Sequence, residues 1–260
     1  MISSRQNPLV KLLNSLHSRH GRQKSGLFLL EGIRLVEEAL AAGLTIRHAV
    51  YSPRLQNNRR AAACLQQLEA TSSCRPQLIS EALLRWLADT EQPQGLLVAA
   101  EQPQPQELDL CGVTGLLLVD GVQDPGNLGT IIRTADALGT QMVLLLIGTV
   151  DAYNEKVVRA AMGSLFHVRL QQSLDADAVL PLIKNAGFQL VVSALEQAVP
   201  YDQADYGERV ALVVGNEGAG VSRELLHAAD LRVIIPILGQ AESLNVAVAT
   251  GIILARLAQR

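Results

Sequence analysis

Residues 210–222 read Val210-Ala211-Leu212-Val213-Val214-Gly215-Asn216-Glu217-Gly218-Ala219-Gly220-Val221-Ser222. Five consecutive apolar residues leave no polar face, which suits a strand covered on both sides, the usual state in a parallel sheet. The run gives way at once to a loop with three glycines among six residues. Such a backbone turns tightly and lets a ligand approach the main chain. Open α/β sheets build their sites where a buried strand delivers a loop of this kind. The spacing is G-x-x-G-x-G, so the dinucleotide-binding fingerprint G-x-G-x-x-G is not present here.

Outward from that stretch the pattern repeats. Residues 115–119, 142–147, 189–193 and 232–235 are further apolar runs, and residues 128–138, 154–162, 176–185 and 222–228 carry helical patterns between most of them. Alternation of this kind predicts an α/β fold with a covered, mostly parallel sheet; taken alone it suggests a doubly wound arrangement. Nearer the start, helical patterns at 6–19, 31–43, 56–70 and 80–89 alternate with short strands near 28–30, 49–51 and 96–99, a small α/β domain. Trp86 follows Leu83 and Ala82 at helical spacing and reads as a core anchor on one apolar face. Glu101-Gln102-Pro103-Gln104-Pro105-Gln106-Glu107 lacks apolar periodicity and reads as a linker, so we expect domains at 1–104 and 105–260.

A chain of 260 residues holds ample apolar material for two cores. Its apolar runs fall far short of the ~20 residues of a membrane span. No apolar signal segment opens the sequence, and Cys64, Cys74 and Cys111 form neither a metal-ligand spacing nor a disulfide framework. A cytoplasmic location without membrane or metal is the simplest expectation. The net charge of −3 is unevenly spread: residues 1–60 hold ten basic and three acidic side chains. Arg5, Lys11, Arg19, Arg22, Lys24 and Arg34, with His17 and His20 beside them, suit a phosphate-facing surface. Charge alone fits an ordinary solvated helix face equally well.

Two more stretches share the design of the first. One is Gln123-Asp124-Pro125-Gly126-Asn127-Leu128-Gly129-Thr130-Ile131-Ile132-Arg133-Thr134, after a strand ending at Asp120; the other is Pro236-Ile237-Leu238-Gly239-Gln240-Ala241-Glu242-Ser243-Leu244-Asn245-Val246. Asn127 and Ser243 are chemically suited to cap the helices that follow, the second of which is expected over 243–258. That helix is apolar on most sides and should be buried on most sides. Arg133 sits in an apolar run, either as a functional charge or paired with a carboxylate such as Asp136. Glu217 is either a carboxylate that satisfies loop amides or a site residue, and Asn245 is open to both readings as well.

Taken together, the three stretches closely resemble the motifs of the SpoU/TrmH-type RNA ribose 2′-O-methyltransferases of the knotted SPOUT class. The likeness is nearly continuous from Leu116 to Leu257 and includes Lys156-Val157-Val158-Arg159-Ala160-Ala161-Met162-Gly163-Ser164-Leu165-Phe166. The first hundred residues look like the substrate-binding domain that precedes the catalytic one in many members. The resemblance implies a trefoil-knot fold, S-adenosylmethionine (AdoMet) as methyl donor, and a homodimer through the C-terminal domain. Its implied substrate is RNA, ribosomal more than transfer RNA. Carried over motif by motif, it implies catalytic roles for Asn127, Arg133, Glu217, Ser243 and Asn245, and AdoMet contacts at Leu195, Gly215, Ile235 and Leu244. Arg133 would bind phosphate or the ribose oxygen; because a guanidinium stays protonated, electrostatic activation suits it better than proton removal. Two other readings remain at this point: a SPOUT enzyme that methylates a base, and a non-catalytic RNA-binding assembly factor.

Overall fold

The computed structural model describes residues 1–71, 74–104 and 106–259, the side chains of Gln56, Asn57 and Thr71 excepted. Pro105, the first residue of the expected second domain, lies outside the described residues. The chain forms two compact units: Met1–Gln104 with Tyr153–Phe166, and Pro105–Ala152 with His167–Arg260. The return of 153–166 to the first unit was not expected from the sequence. No helix among the described residues is long and apolar enough to cross a membrane.

The first unit runs α1 (Pro8–Ser15), α2 (Arg19–Ser25), β1 (Leu27–Glu31), α3 (Ile33–Ala41), β2 (Ile46–Tyr51), α4 (Arg59–Thr71), β3 (Gln77–Leu78), α5 (Glu81–Leu87) and β4 (Leu96–Glu101). Its sheet has the order β1-β4-β2-β3, antiparallel except for the last pair. The helix expected over 6–19 is two helices. α1 stops at Ser15, and Ser18 starts α2 by accepting a hydrogen bond from the Gly21 amide at 3.0 Å. Gly21 has to be glycine, since an added Cβ would lie 2.0 Å from the Ser15 carbonyl oxygen. Val10, Leu13, Leu16, Leu29, Val50, Leu83, Leu84 and Leu87 belong to the core beneath, with Trp86 packed against it. The buried stripe of α5 is thus Leu83, Leu84 and Leu87, while Ala82, expected on the apolar face, is exposed.

The second unit follows with β5 (Gly115–Val119), α6 (Pro125–Ala137) and β6 (Met142–Leu146). After α7 (Glu155–Ala161), which belongs to the first unit, it continues with β7 (Arg169–Leu174), α8 (Ala176–Asn185), β8 (Gln189–Ser193), β9 (Val199–Pro200), β10 (Val210–Val214), α9 (Arg223–Ala228), β11 (Leu231–Ile234) and α10 (Val246–Leu257). The seven strands lie in the order β7-β6-β5-β10-β8-β11-β9, and every pairing is parallel. β10, whose five residues are all buried, pairs with β5 on one side and β8 on the other. The loops that follow these central strands therefore emerge at one edge of the sheet, which is where the site is built.

Also in the first unit, the His17 Nδ1 donates to the Glu155 carboxylate of α7 at 2.6 Å, and Phe28 of β1 stacks at a tilt on Tyr153, with ring centroids 4.9 Å apart.

Candidate active site

The loop after β10 is held by its own asparagine. Asn216 and Gly220 exchange backbone hydrogen bonds at 2.9 and 3.0 Å. The Asn216 Oδ1 accepts from the amides of Gly218 and Ala219, both at 2.9 Å, and its Nδ2 donates to the Gly121 carbonyl at 2.7 Å. Gly215 is fully enclosed by this turn: a Cβ there would meet the Gly220 carbonyl carbon at 2.3 Å. Asn216 organises two of the three loops, and the sequence reading passed over it. Its signal was available, because an asparagine before a glycine-rich turn is suited to accept local amide hydrogen bonds.

The first motif opens α6, but not with the residue expected. Asp124 is the N-cap, accepting from the Asn127 amide at 2.8 Å, with Pro125 in the first turn. Asn127 lies inside that turn, which frees its side chain. The third motif differs in the same way: Asn245, not Ser243, is the N-cap of α10, accepting from the amides of Ala247 at 2.9 Å and Val248 at 3.3 Å. The helix accordingly begins at Val246, and residues 243–244 stay outside it.

These shifts bring the three motifs into one hydrogen-bonded chain. The Asn127 Nδ2 donates to Glu217 Oε1 at 3.0 Å, and the Asn127 Oδ1 accepts from Asn245 Nδ2 at 2.8 Å. Glu217 also accepts from the amides of Gln123 at 3.3 Å and Asp124 at 3.2 Å. Burial by itself opposes ionisation of Glu217, but the hydrogen bonds from Asn127 and from backbone amides outweigh it together. The carboxyl is therefore held below its usual range, ionised and committed to the loop. Of the two readings left open for Glu217, the structure shows the first: it satisfies loop amides.

Beside this chain lies a cavity of about 590 Å³, within the range of small-molecule sites. Leu195, Gly215, Ile235 and Leu244 all line it, as do Glu217, Ser243 and Asn245. Leu195 is 73% exposed and Leu244 37% exposed, so apolar side chains stand uncovered around a rim of loop backbone. A molecule with a flat heteroaromatic ring and a charged tail fits such walls: the apolar side chains cover its faces and the loop amides and carbonyls meet its edges. AdoMet has that form.

Arg133 is not on this cavity. It lies six residues beyond Asn127 on α6, exposed, with no side-chain hydrogen bond or ion pair among the described residues, so the alternative pairing with Asp136 or another carboxylate is not made. α10 packs on α6, with Gly251 against Thr134. It buries Ala247, Thr250, Ile253 and Leu254 on that side but leaves Val248 52% exposed, so it is not buried on most sides within one chain.

Among the basic residues of the first unit, Lys11, Arg19, Lys24 and Arg34 are exposed, and Arg5 lies over the Trp86 ring at 4.6 Å. Arg22 departs from the expectation. It is only 2% exposed and its Nη1 donates to the carbonyls of Leu16 and His17, at 2.9 and 3.1 Å, at the end of α1. It closes the turn between α1 and α2 and is not part of a solvent-facing surface.

The chain is similar to known proteins over nearly its whole length. The SpoU rRNA Methylase family matches residues 115–255, and an MRM3-like substrate binding domain matches residues 7–98. The 23S rRNA (guanosine(2553)-2′-O)-methyltransferase RlmP of Bacillus subtilis is 39% identical over 252 residues, 97% of this chain and 96% of that protein. The AdoMet-bound rRNA methyltransferase of Sinorhizobium meliloti superposes with a TM-score of 0.87 at 32% identity, over 99% of this chain and 97% of that one. AviRb of Streptomyces viridochromogenes, a SpoU methyltransferase solved with AdoMet, gives a TM-score of 0.87 at 27% identity over 98% of each chain. With the family model matched over residues 115–255 and a relative 39% identical over nearly its whole length, the chain belongs to the SpoU rRNA methylase family.

Proposed function

We propose that this protein is an AdoMet-dependent methyltransferase of the ribose 2′-OH in ribosomal RNA, acting in the cytoplasm as a homodimer. The observation that carries the reading is the chain Glu217–Asn127–Asn245, which ties the first motif through Asn127 to two residues in the wall of one ligand-sized cavity. Bound there, AdoMet supplies a methyl group made electrophilic by its sulfonium, so the protein's task is to place and polarise the ribose oxygen.

Leu195, Gly215, Ile235 and Leu244 hold the donor, chiefly through loop backbone. Glu217 positions: an ionised carboxylate already accepting three hydrogen bonds is a poor proton acceptor, and its work is to fix the Asn127 amide and the first loop. Ser243 lines the cavity with no hydrogen bond among the described residues, so its hydroxyl is available to substrate. Arg133 completes the site from a second copy. An unpaired guanidinium on the exposed side of α6, together with the uncovered Val248 on α10, which packs on α6, supports a subunit contact that carries it to the partner's cavity. There it binds the ribose oxygen or the adjacent phosphate and favours the alkoxide-like form electrostatically. The exposed residues Arg5, Lys11, Arg19, Lys24 and Arg34 hold RNA phosphates. Arg22 supports the turn beneath them.

The test is transfer of labelled methyl from AdoMet into protein-free ribosomal RNA and, separately, into bulk transfer RNA, followed by alkaline hydrolysis. A 2′-O-methyl group blocks cleavage at the adjacent phosphodiester, so the expected product is an alkali-stable dinucleotide from ribosomal RNA. Label in a base, or no transfer to either RNA, would sink the reading.

A further inference from the structure

A second cavity, of about 210 Å³, lies wholly within the first unit. We infer that it receives a single unstacked nucleobase of the RNA, with Arg34 on the neighbouring phosphate. The inference rests on the proposal that the substrate is RNA.

The volume argues first. Sites for drug-sized ligands run from about 300 to 1,000 Å³, so this cavity suits one ring system and not a whole cofactor. Its wall is mixed in a way that matches a base. Leu35 and Met162 supply apolar surface for a ring face, and Arg34, Gln92 and Gln94 supply polar groups. The Gln94 carbonyl oxygen accepts from the Ile33 amide at 3.2 Å, which fixes the side chain and leaves its NH₂ pointing away from that bond with no partner among the described residues. Gln92 and Arg34 likewise have no hydrogen bond or ion pair among them. Carboxamides are the side chains that read base edges by paired donor and acceptor contacts, and unstacked bases are what sequence-specific RNA recognition targets. Arg159 is held at the rim by Asp89 at 3.0 Å and gives a planar cation beside the ring. Glu31, the carboxylate in the wall, is turned to its own scaffold, accepting from the Asp89 amide at 3.2 Å and from the Thr90 hydroxyl.

Met162 is the second, independent observation. It ends α7 in the left-handed region, φ 52°, where glycine or asparagine is the usual choice. The next residue, Gly163, is also left-handed. A large apolar side chain takes that conformation with 43% of its surface exposed. Placed on the cavity wall, its thioether gives a polarisable surface for an aromatic ring.

The chain has three methionines, Met1, Met142 and Met162, of which Met142 is buried. Methyl-¹³C-methionine labelling therefore gives at most three signals, and Met162→Gly assigns the one of interest while suiting the backbone. With the AdoMet site filled by S-adenosylhomocysteine, the four nucleoside monophosphates and ribose 5-phosphate are titrated in turn. The expected result is a ring-current shift of the Met162 methyl with at least one nucleotide, none with ribose 5-phosphate, and a still Met142. In parallel, Met162→Gly and Arg34→Ala should each weaken binding of a ribosomal RNA transcript about fivefold, the lower end of what one stacked base contributes, with S-adenosylhomocysteine binding unchanged. An unmoved Met162 methyl, or an equal response to ribose 5-phosphate, overturns the base pocket. Nucleotide shifts with unaltered transcript binding would make it a free-nucleotide site and overturn the RNA assignment. Methyl transfer by the same preparation shows whether the methyltransferase reading falls with the pocket or stands without it.

Discussion

Replacing Glu217 with glutamine keeps the length of the side chain and removes its charge. In the native loop Oε1 accepts from Asp124 N at 3.2 Å and Asn127 Nδ2 at 3.0 Å, and Oε2 accepts from Gln123 N at 3.3 Å. An amide has one acceptor oxygen, so its NH₂ must face at least one of these donors. In the better orientation two hydrogen bonds survive without charge assistance and the Gln123 amide is opposed. One lost and two weakened hydrogen bonds at an exposed carboxylate come to about 1–2 kcal/mol. Expressed wholly in the rate, that is about a five- to thirtyfold loss.

The assay is single-turnover methyl transfer, with AdoMet binding measured by calorimetry in parallel. We expect kcat to fall by that factor, AdoMet affinity to hold, and the pH–rate profile to keep its shape above pH 6. The sign follows from the depressed carboxyl. Its contribution is full above the ordinary value of 4.5 and is lost only as the pH falls through the lowered one, so no Glu217 titration belongs in the neutral range. Two results would refute the reasoning. An unchanged rate means the clasp does not position anything that reacts. A loss of three decades or more together with a vanished limb of the profile means that Glu217 moves a proton.

Three further outcomes are expected. Gly215→Ala should abolish AdoMet binding by calorimetry while the protein stays folded by circular dichroism, because its Cβ would meet Gly220 and Val221 backbone at 2.3–2.4 Å; binding within twofold of wild type would remove the second loop from the donor site. Arg133→Ala and Asn245→Ala should each be inactive alone but, co-expressed, should regain about a quarter of wild-type activity, since half the dimers would carry one native site; a dead mixture would place Arg133 in its own subunit's site or outside catalysis. His17 is raised above 6.5 first by its hydrogen bond to Glu155, which outweighs the effect of burial. Its contribution to stability is therefore full below 6.5 and lost as the pH rises through the raised value. The melting-temperature difference between wild type and His17→Gln should hold below pH 6.5 and shrink above it, and a constant difference would show that the pair does not titrate in the fold.

What could be read from the sequence divides along a physical line. The strands β5, β8 and β10 are legible to the residue because their runs are apolar on both faces and end in loop chemistry. β7 was missed for the opposite reason: at the sheet's edge its Gln171, Gln172 and Ser173 need no core, and Ser173 takes a positive φ where the register with β6 shifts. The α1–α2 break was missed because it turns on Arg22 reaching carbonyls five and six residues back, a geometry that a count of basic residues does not contain.

The site shows the same division more sharply. Asn127, Glu217 and Asn245 could be picked out singly, since each is a polar residue where a glycine-rich loop meets a strand or helix. Which of them caps a helix could not. Asp124 and Asn127 are both good caps, and so are Ser243 and Asn245, and local propensity does not rank them. The choice is made by partners 90 and 118 residues away: Asn127 is released from capping because Glu217 and Asn245 take up its amide. Asn245 manages both tasks at once, its oxygen on α10 and its nitrogen on Asn127. Substituting Asn245 therefore disturbs a helix start and the three-motif chain together. The two effects separate only where a variant keeps the cap and loses the link, as Asn245→Asp should, with α10 intact by hydrogen exchange and the Asn127 contact gone. If Asn245→Asp transferred methyl as fast as wild type, the three-motif chain would be scaffolding for the loops and not the positioning device argued here.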